Sequence, residues 1–194
     1  MSWLAPVTLR GAHVTLAPLS HDHVDGLREA VADGELWKLW YTMIPQPDAM
    51  AAEIDRRLGL QAKGAMLPFT VLDATGRCAG MTTYMNVDAV NRRVEIGSTW
   101  YRRSVQRTAL NTEAKLLLLG HAFENLGCIA VELRTSFFNQ ASRRAIERIG
   151  AKLDGVLRSH ILHTNGSRRD TCVYSIVDHE WPAVRTNLKW MLER

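Results

Sequence analysis

The chain has 194 residues, 46% hydrophobic and 23% charged, and 24 Lys and Arg against 20 Asp and Glu leave a formal charge of +4. That size and balance suit one folded domain, residues 1–194, built on a substantial core, and they exclude disordered, collagen-like and disulfide-scaffold chains. The basic excess suits an anionic ligand, but no dense basic stripe interleaved with aromatics marks a nucleic-acid surface. Cys78, Cys128 and Cys172 are odd in number, widely spaced and without metal-ligand spacing, so they read as buried free thiols and no metal site is expected. The first residues lack a basic stretch followed by an apolar one, and no run approaches the roughly 20 apolar residues of a membrane span, which predicts a cytoplasmic protein that engages no membrane.

In chain order, His13 to Ala17 reads as a short strand, and Ser20 as the N-cap of a helix through DHVDGLREAVA. WKLWYTMIPQP, rich in aromatics and prolines, reads as a loop, and from Asp48 the positions Met50, Ile54, Leu58 and Gln61 fall on one helical face. PFTVLD and CAGMTTYMNV, joined by Asp73-Ala74-Thr75-Gly76, predict an antiparallel hairpin, with RRVEIGSTW as a third strand. From about Asn111 to Leu126, apolar positions cover nearly the whole circumference of a helix that must be packed on several sides. CIAVELR alternates as a strand, and Asn139 to Ile149 forms a helix closed by Gly150. VLRSHILH and DTCVYSIV flank Asn165-Gly166, a hairpin signal, and a last helix over Trp181–Leu192 follows Asp178 as cap. The order predicts an α/β (α+β) fold: a mixed, mostly antiparallel sheet with helices on both faces and a central β-α-β unit.

The junction from Trp100 and Tyr101 into the buried helix is the most informative stretch. A strand that feeds a turn opening a helix presents unpaired N–H groups backed by the helix's positive pole, and Arg102, Arg103 and Arg107 add charge beside it. The residues alone leave two readings: an anion site, or a basic solvated loop, because the glycines usual in phosphate loops are missing.

Three blocks, VEIGSTW, QRTALNTEAKLLLLGHAFENLG and RTSFFNQASRRAIERIGA, with their spacing, resemble the GNAT N-acetyltransferase superfamily, in particular its ribosomal-protein N-terminal acetyltransferases. The resemblance implies acetyl-CoA as cofactor, released as CoA, and direct acetyl transfer to an amine. Its pyrophosphate loop corresponds to Gln106, Arg107, Thr108, Ala109, Leu110 and Asn111, followed by Thr112. Ala109 and Asn111 stand where glycine or alanine is usual; near-helical backbone tolerates Ala109, whereas Asn111 either caps the helix, bonds the cofactor or weakens its binding. By the same resemblance Ser98, Thr99 and Trp100 border the cofactor, with a backbone N–H near Ser98 and Thr99 for the developing oxyanion. Asn139 bonds the pantetheine arm, and Ser142 lies near the sulfur and protonates the leaving thiolate.

Glu95 is the first candidate general base and His160 the second, in a hairpin where relatives carry a carboxylate; the plain alternatives are a strand carboxylate paired with Arg92 or Arg93 and a surface histidine. Trp37, Trp40 and Tyr41 lie in a loop that walls the acceptor cleft in similar proteins, or else are structural. Asp48 and Glu53 would attract a cationic amine. The acceptor implied is a peptide or protein N-terminal amine; a small amine and a non-catalytic binding module are the other readings. The C-terminal helix covers either the core or a homodimer interface.

Overall fold

A computed structural model describes residues 3–163 and 165–194. One eight-stranded sheet is built from β1 (Leu9–Arg10), β2 (Val14–Pro18), β3 (Met66–Asp73), β4 (Cys78–Asp88), β5 (Arg93–Tyr101), β6 (Ala130–Ser136), β7 (Lys152–Leu162) and β8 (Arg168–Val177). Five α-helices accompany it: α1 (Val24–Ala32), α2 (Met50–Ala62), α3 (Ala109–Gly120), α4 (Gln140–Arg148) and α5 (Trp181–Leu192). The spatial order is β1-β2-β3-β4-β5-β6-β8-β7, and every neighbouring pair is antiparallel except β5 with β6. That parallel pair is the one joined through α3, as a parallel connection requires a crossover. The mixed, mostly antiparallel sheet with a central β-α-β unit is thus the architecture the sequence predicts.

Two cores sit on opposite faces. On one, Leu27, Val31, Met50 and Ile54 from α1 and α2 pack against Cys78, Met81 and Trp100. On the other, α3, Ile146 of α4, and Val184 and Leu188 of α5 cover Phe69, Tyr84, Val131, Leu133, Tyr174 and Ile176. Because side chains alternate along a strand, Glu132, Arg134 and Ser175 occupy the α1/α2 side of the sheet. There they line an open groove of about 500 Å³ with Arg93, Asp154 and Leu157. The three cysteines are buried and free, and among the described residues no helix is long and apolar enough to cross a membrane.

Several boundaries differ from expectation. The two-residue β1 is too short to carry an alternating pattern. The aromatic loop contains short 3₁₀ turns at Leu36–Lys38 and Pro47–Ala49, so α2 begins at Met50. Ser20 precedes a 3₁₀ turn, and its backbone N–H donates to His23 Nδ1. α3 begins at Ala109, and the helix ends in a π turn over His121–Asn125. α5 follows a 3₁₀ turn over Asp178–Glu180, in which Glu180 Oε2 accepts the Val177 N–H; Glu180 stands at the N-cap position of α5 without a side-chain cap bond, and the Asp178 carboxylate accepts the N–H of its neighbour His179.

Candidate active site

β5 and β6 pair only at Arg93 with Ala130, Val94 with Val131 and Glu95 with Glu132, although β5 continues to Tyr101 and β6 to Ser136. Beyond Glu95 the two strands leave each other, and a cleft opens between their carboxyl ends. Parallel strands lead in the same direction, so the N-termini of α3 and α4 both face this end. A crevice outside the carboxyl ends of neighbouring parallel strands, with helix N-termini on its rim, is where α/β sheets take anionic ligands.

On the α3 side, Thr108 is the N-cap: its Oγ1 accepts the Leu110 N–H at 3.3 Å and donates to the Val105 carbonyl at 2.7 Å. Capping therefore belongs to Thr108 and not to Asn111, which is already in the first helical turn. Ala109 is helical too, so its methyl group meets no backbone penalty. The strained position is Arg107, exposed with φ +61°. Gln106 Nε2 donates to the Tyr101 carbonyl. Thr112 is buried, its hydroxyl accepting from Arg148 Nη2 of α4 at 3.0 Å.

Arg102 does not join Arg103 and Arg107 at this mouth. It is buried, donating through Nη2 to Asp73 Oδ2 at 2.6 Å and through Nη1 to the Cys78 carbonyl at 2.9 Å. It ties the end of β5 to the β3–β4 turn. Arg103 and Arg107 remain exposed, and neither has an ion pair among the described residues.

On the α4 side, Asn139 is the N-cap, its Oδ1 accepting the Ser142 N–H at 3.0 Å. The sequence reading missed the pair just before it. Phe137 and Phe138 are exposed at the end of β6, with Phe138 5.3 Å from the Trp40 ring and Arg143 5.0 Å over Phe137. Tyr41 meets Trp40 edge-on at 5.6 Å. This aromatic contact joins the α1–α2 loop to the head of α4. Trp37 stands apart and packs on the α1/α2 core. The signal was available in two adjacent phenylalanines directly ahead of an N-cap, where a core strand should already have ended.

Glu95 lies on the open side of β5, 5% exposed. Its Oε2 accepts from Asn86 Nδ2 at 2.6 Å and faces Arg134 Nε at 3.4 Å, while Arg93 pairs with Glu132. Burial pushes its carboxyl above the ordinary value, and Arg134 and Asn86 only partly oppose this. Gly97 makes the room: a Cβ there would come within 2.7 Å of Glu95 Oε1 and of Met85 Sδ. His160 shares this face, with Nδ1 3.1 Å from Thr171 Oγ1. Glu95 and Glu132 align with Ser175, four residues along β8 from Thr171, a rise of about 13 Å. The two candidate bases thus keep separate partners. Trp100 is buried in the α1/α2 core with its indole Nε1 unpartnered among the described residues. Glu53 is taken by Arg56 and Arg57 and offers no free carboxylate to an amine.

The donor set at the cleft mouth, first-turn N–H groups of α3 with Arg103, Arg107 and Gln106 beside them, fits a pyrophosphate. The unpaired strand edges behind it fit an extended, amide-bearing arm. Fold and site together define a splayed parallel pair with helix N-termini at its mouth, an arrangement whose donors suit a long phosphorylated ligand. Residues 13–152 match the acetyltransferase (GNAT) domain, and the chain belongs to that family of acetyl-CoA-dependent enzymes. It is 35% identical over 106 residues to the "Putative ribosomal N-acetyltransferase YdaF" of Bacillus subtilis (strain 168), a match spanning 55% of this chain and 57% of that relative. Among solved structures, it resembles a GCN5-related N-acetyltransferase from Brucella melitensis, with 32% identity, TM-score 0.84 and coverage of 97% of this chain and 86% of that one. It also resembles a "putative acetyltransferase" from T. thermophilus, with 31% identity, TM-score 0.85 and coverage of 98% and 99%.

Proposed function

We propose that this chain transfers the acetyl group of acetyl-CoA directly to the N-terminal amine of a peptide or protein. The observation that carries the proposal is the cleft itself, where β5 and β6 part over the N-termini of α3 and α4 with a buried carboxylate, Glu95, on the open side of the sheet. Bound there, acetyl-CoA supplies an activated acyl group; what remains is positioning, charge stabilisation and the movement of one proton.

The first turn of α3, with Gln106 and Arg107, holds the phosphates. Asn139 and the head of α4 orient the arm, and Ser142 lies in the same turn to hydrogen-bond the leaving sulfur. A backbone N–H in the Ser98–Thr99 segment faces the oxygen on which charge develops. Glu95 takes the amine's proton, directly or through one water. Its raised pKa moves it toward the working pH, which favours a general base. Freeing the neutral amine at pH 7 costs about 1 kcal/mol for an α-amine of pKa about 8, against about 4 to 5 kcal/mol for lysine, so one modest base suits an N-terminus. Trp40 and Tyr41, backed by Phe138, form the acceptor wall. The similarity to the Bacillus subtilis "Putative ribosomal N-acetyltransferase YdaF" supports a protein acceptor.

The test is a screen of N-terminal peptides, including those of ribosomal proteins, beside amino acids, polyamines and aminoglycosides, following CoA release. Turnover of peptides above small amines is expected. Good turnover of a small amine with inert peptides would overturn the acceptor assignment.

A further inference from the structure

Arg57 is a basic residue on the inner side of α2, beside Met50 and Ile54, and it is 2% exposed. A buried guanidinium persists only where its donors are met. Here Nε donates to Glu53 Oε1 at 2.6 Å and Nη1 donates to Thr83 Oγ1 at 2.7 Å. Nη1 and Nη2 both face the Ser98 carbonyl oxygen at 3.5 Å. Each of the last two contacts is long, so the hold lies in the fork that straddles the oxygen.

The guanidinium therefore touches both strands where their register slips. Thr83 faces Gly97 and Met81 faces Trp100, which leaves Ser98 and Thr99 together opposite Thr82. Ser98 has φ +48°, a left-handed conformation that serine seldom adopts without support. Support comes from two sides: the Thr82 and Thr99 hydroxyls meet at 2.8 Å, and Arg57 engages the Ser98 carbonyl. The peptide linking Ser98 to Thr99 is planar, with its C=O and N–H pointing in opposite directions. Holding the carbonyl toward Arg57 turns the Thr99 N–H away from it.

We propose that Arg57 is the positioning residue that aims the Thr99 N–H into the cleft between β5 and β6, onto the thioester carbonyl oxygen. The inference rests on the acetyltransferase reading above and deepens it by giving the oxyanion donor a support that reaches in from α2, the helix after the acceptor-wall loop. A lysine would keep the charge and lose the fork, so the role is specific to arginine.

The test is isotope-edited infrared spectroscopy of [1-¹³C]acetyl-CoA bound to the full chain, with calorimetric titration of CoA in parallel. In the wild type the bound thioester carbonyl stretch is expected below its frequency in water. In Arg57→Lys and Arg57→Met that displacement falls by at least half, and in Thr83→Val, which removes one anchor and leaves the guanidinium in place, it falls by less. CoA, which has no acyl carbonyl, binds the folded variants within about threefold of the wild type. With the acceptor found in the screen, kcat of Arg57→Lys drops by about 10- to 100-fold at unchanged KM for acetyl-CoA, as expected when an oxyanion donor is misaimed. An unchanged carbonyl stretch in Arg57→Lys and Thr83→Val, or parallel losses of CoA and acetyl-CoA binding, would overturn the inference. A wild type that binds neither ligand would overturn the acetyltransferase reading itself, and this inference with it.

Discussion

Glu95 is a carboxylate whose environment pulls two ways, since burial disfavours its charge while Asn86 and Arg134 favour it, and burial wins. Its folded pKa therefore lies above the unfolded one. The stability this group contributes is present below the unfolded pKa and is lost as pH rises through the folded value, so at neutral pH the charged form costs stability. Glu95→Gln is expected to lower kcat about 100-fold and to abolish the low-pH limb of kcat/KM, while its Tm at pH 7 to 8 stays at or above the wild-type value. A retained limb, lost instead in His160→Ala, would move the base to the hairpin. The sequence could place Glu95 on a strand that, by the family resemblance, borders the proposed cofactor cleft. It could not show that Arg134, on the far side of a crossover, would be its partner, because pairing across β5 and β6 depends on register. Arg102 illustrates the converse: arginines close together in sequence look like one basic patch, yet the residue just past the end of β5 turns inward to Asp73 and the Cys78 carbonyl.

At the scale of elements, α3 carries more polar burial than its leucine run suggests. Glu113 accepts three backbone N–H groups, from Ala12, His13 and Val14, and so fixes the β1–β2 turn to α3. Lys115, two residues on, is 7% exposed with no ion pair among the described residues, and burial lowers its ammonium to about 8. Its folded pKa is depressed, so the stability tied to this group is present above about 10.5 and is lost as pH falls through about 8. Lys115→Met is expected to stabilise the fold at pH 7 by up to about 3 kcal/mol, with a gain that shrinks toward pH 10. A variant that melts below the wild type at pH 7 would contradict this. The existence and type of all five helices were legible from periodicity, and so were most strands. Helix starts were less so: Thr108 caps α3 through geometry that its polar neighbour Asn111 could equally have supplied, and α5 starts from a 3₁₀ turn with Glu180, not Asp178, at its N-cap position. The outward aromatic pair Phe137 and Phe138 was hidden for a related reason: apolar residues at a strand end look like core until a facing loop, here Trp40, is known.

Across the whole molecule, the two faces of the sheet are unequally covered. α3, α4 and α5 share the burial of one face, whereas α1 and α2 pack on β4 and β3 and leave an open groove over β6, β8 and β7. The cleft between β5 and β6 joins these environments, with the N-termini of α3 and α4 at its mouth and Glu95 on the open side. That division suits a reaction in which one substrate is gripped along its length and the other arrives over an accessible surface. It also gives the modest basic excess a local meaning, since exposed Arg103 and Arg107 stand at the mouth of the proposed cofactor cleft while many other arginines are paired with carboxylates. The most direct test of the account is a calorimetric titration of the full chain with acetyl-CoA at low and raised salt. Saturable one-to-one binding with a micromolar Kd, weakening as salt rises, is the predicted result; no heat of binding at millimolar acetyl-CoA would contradict it.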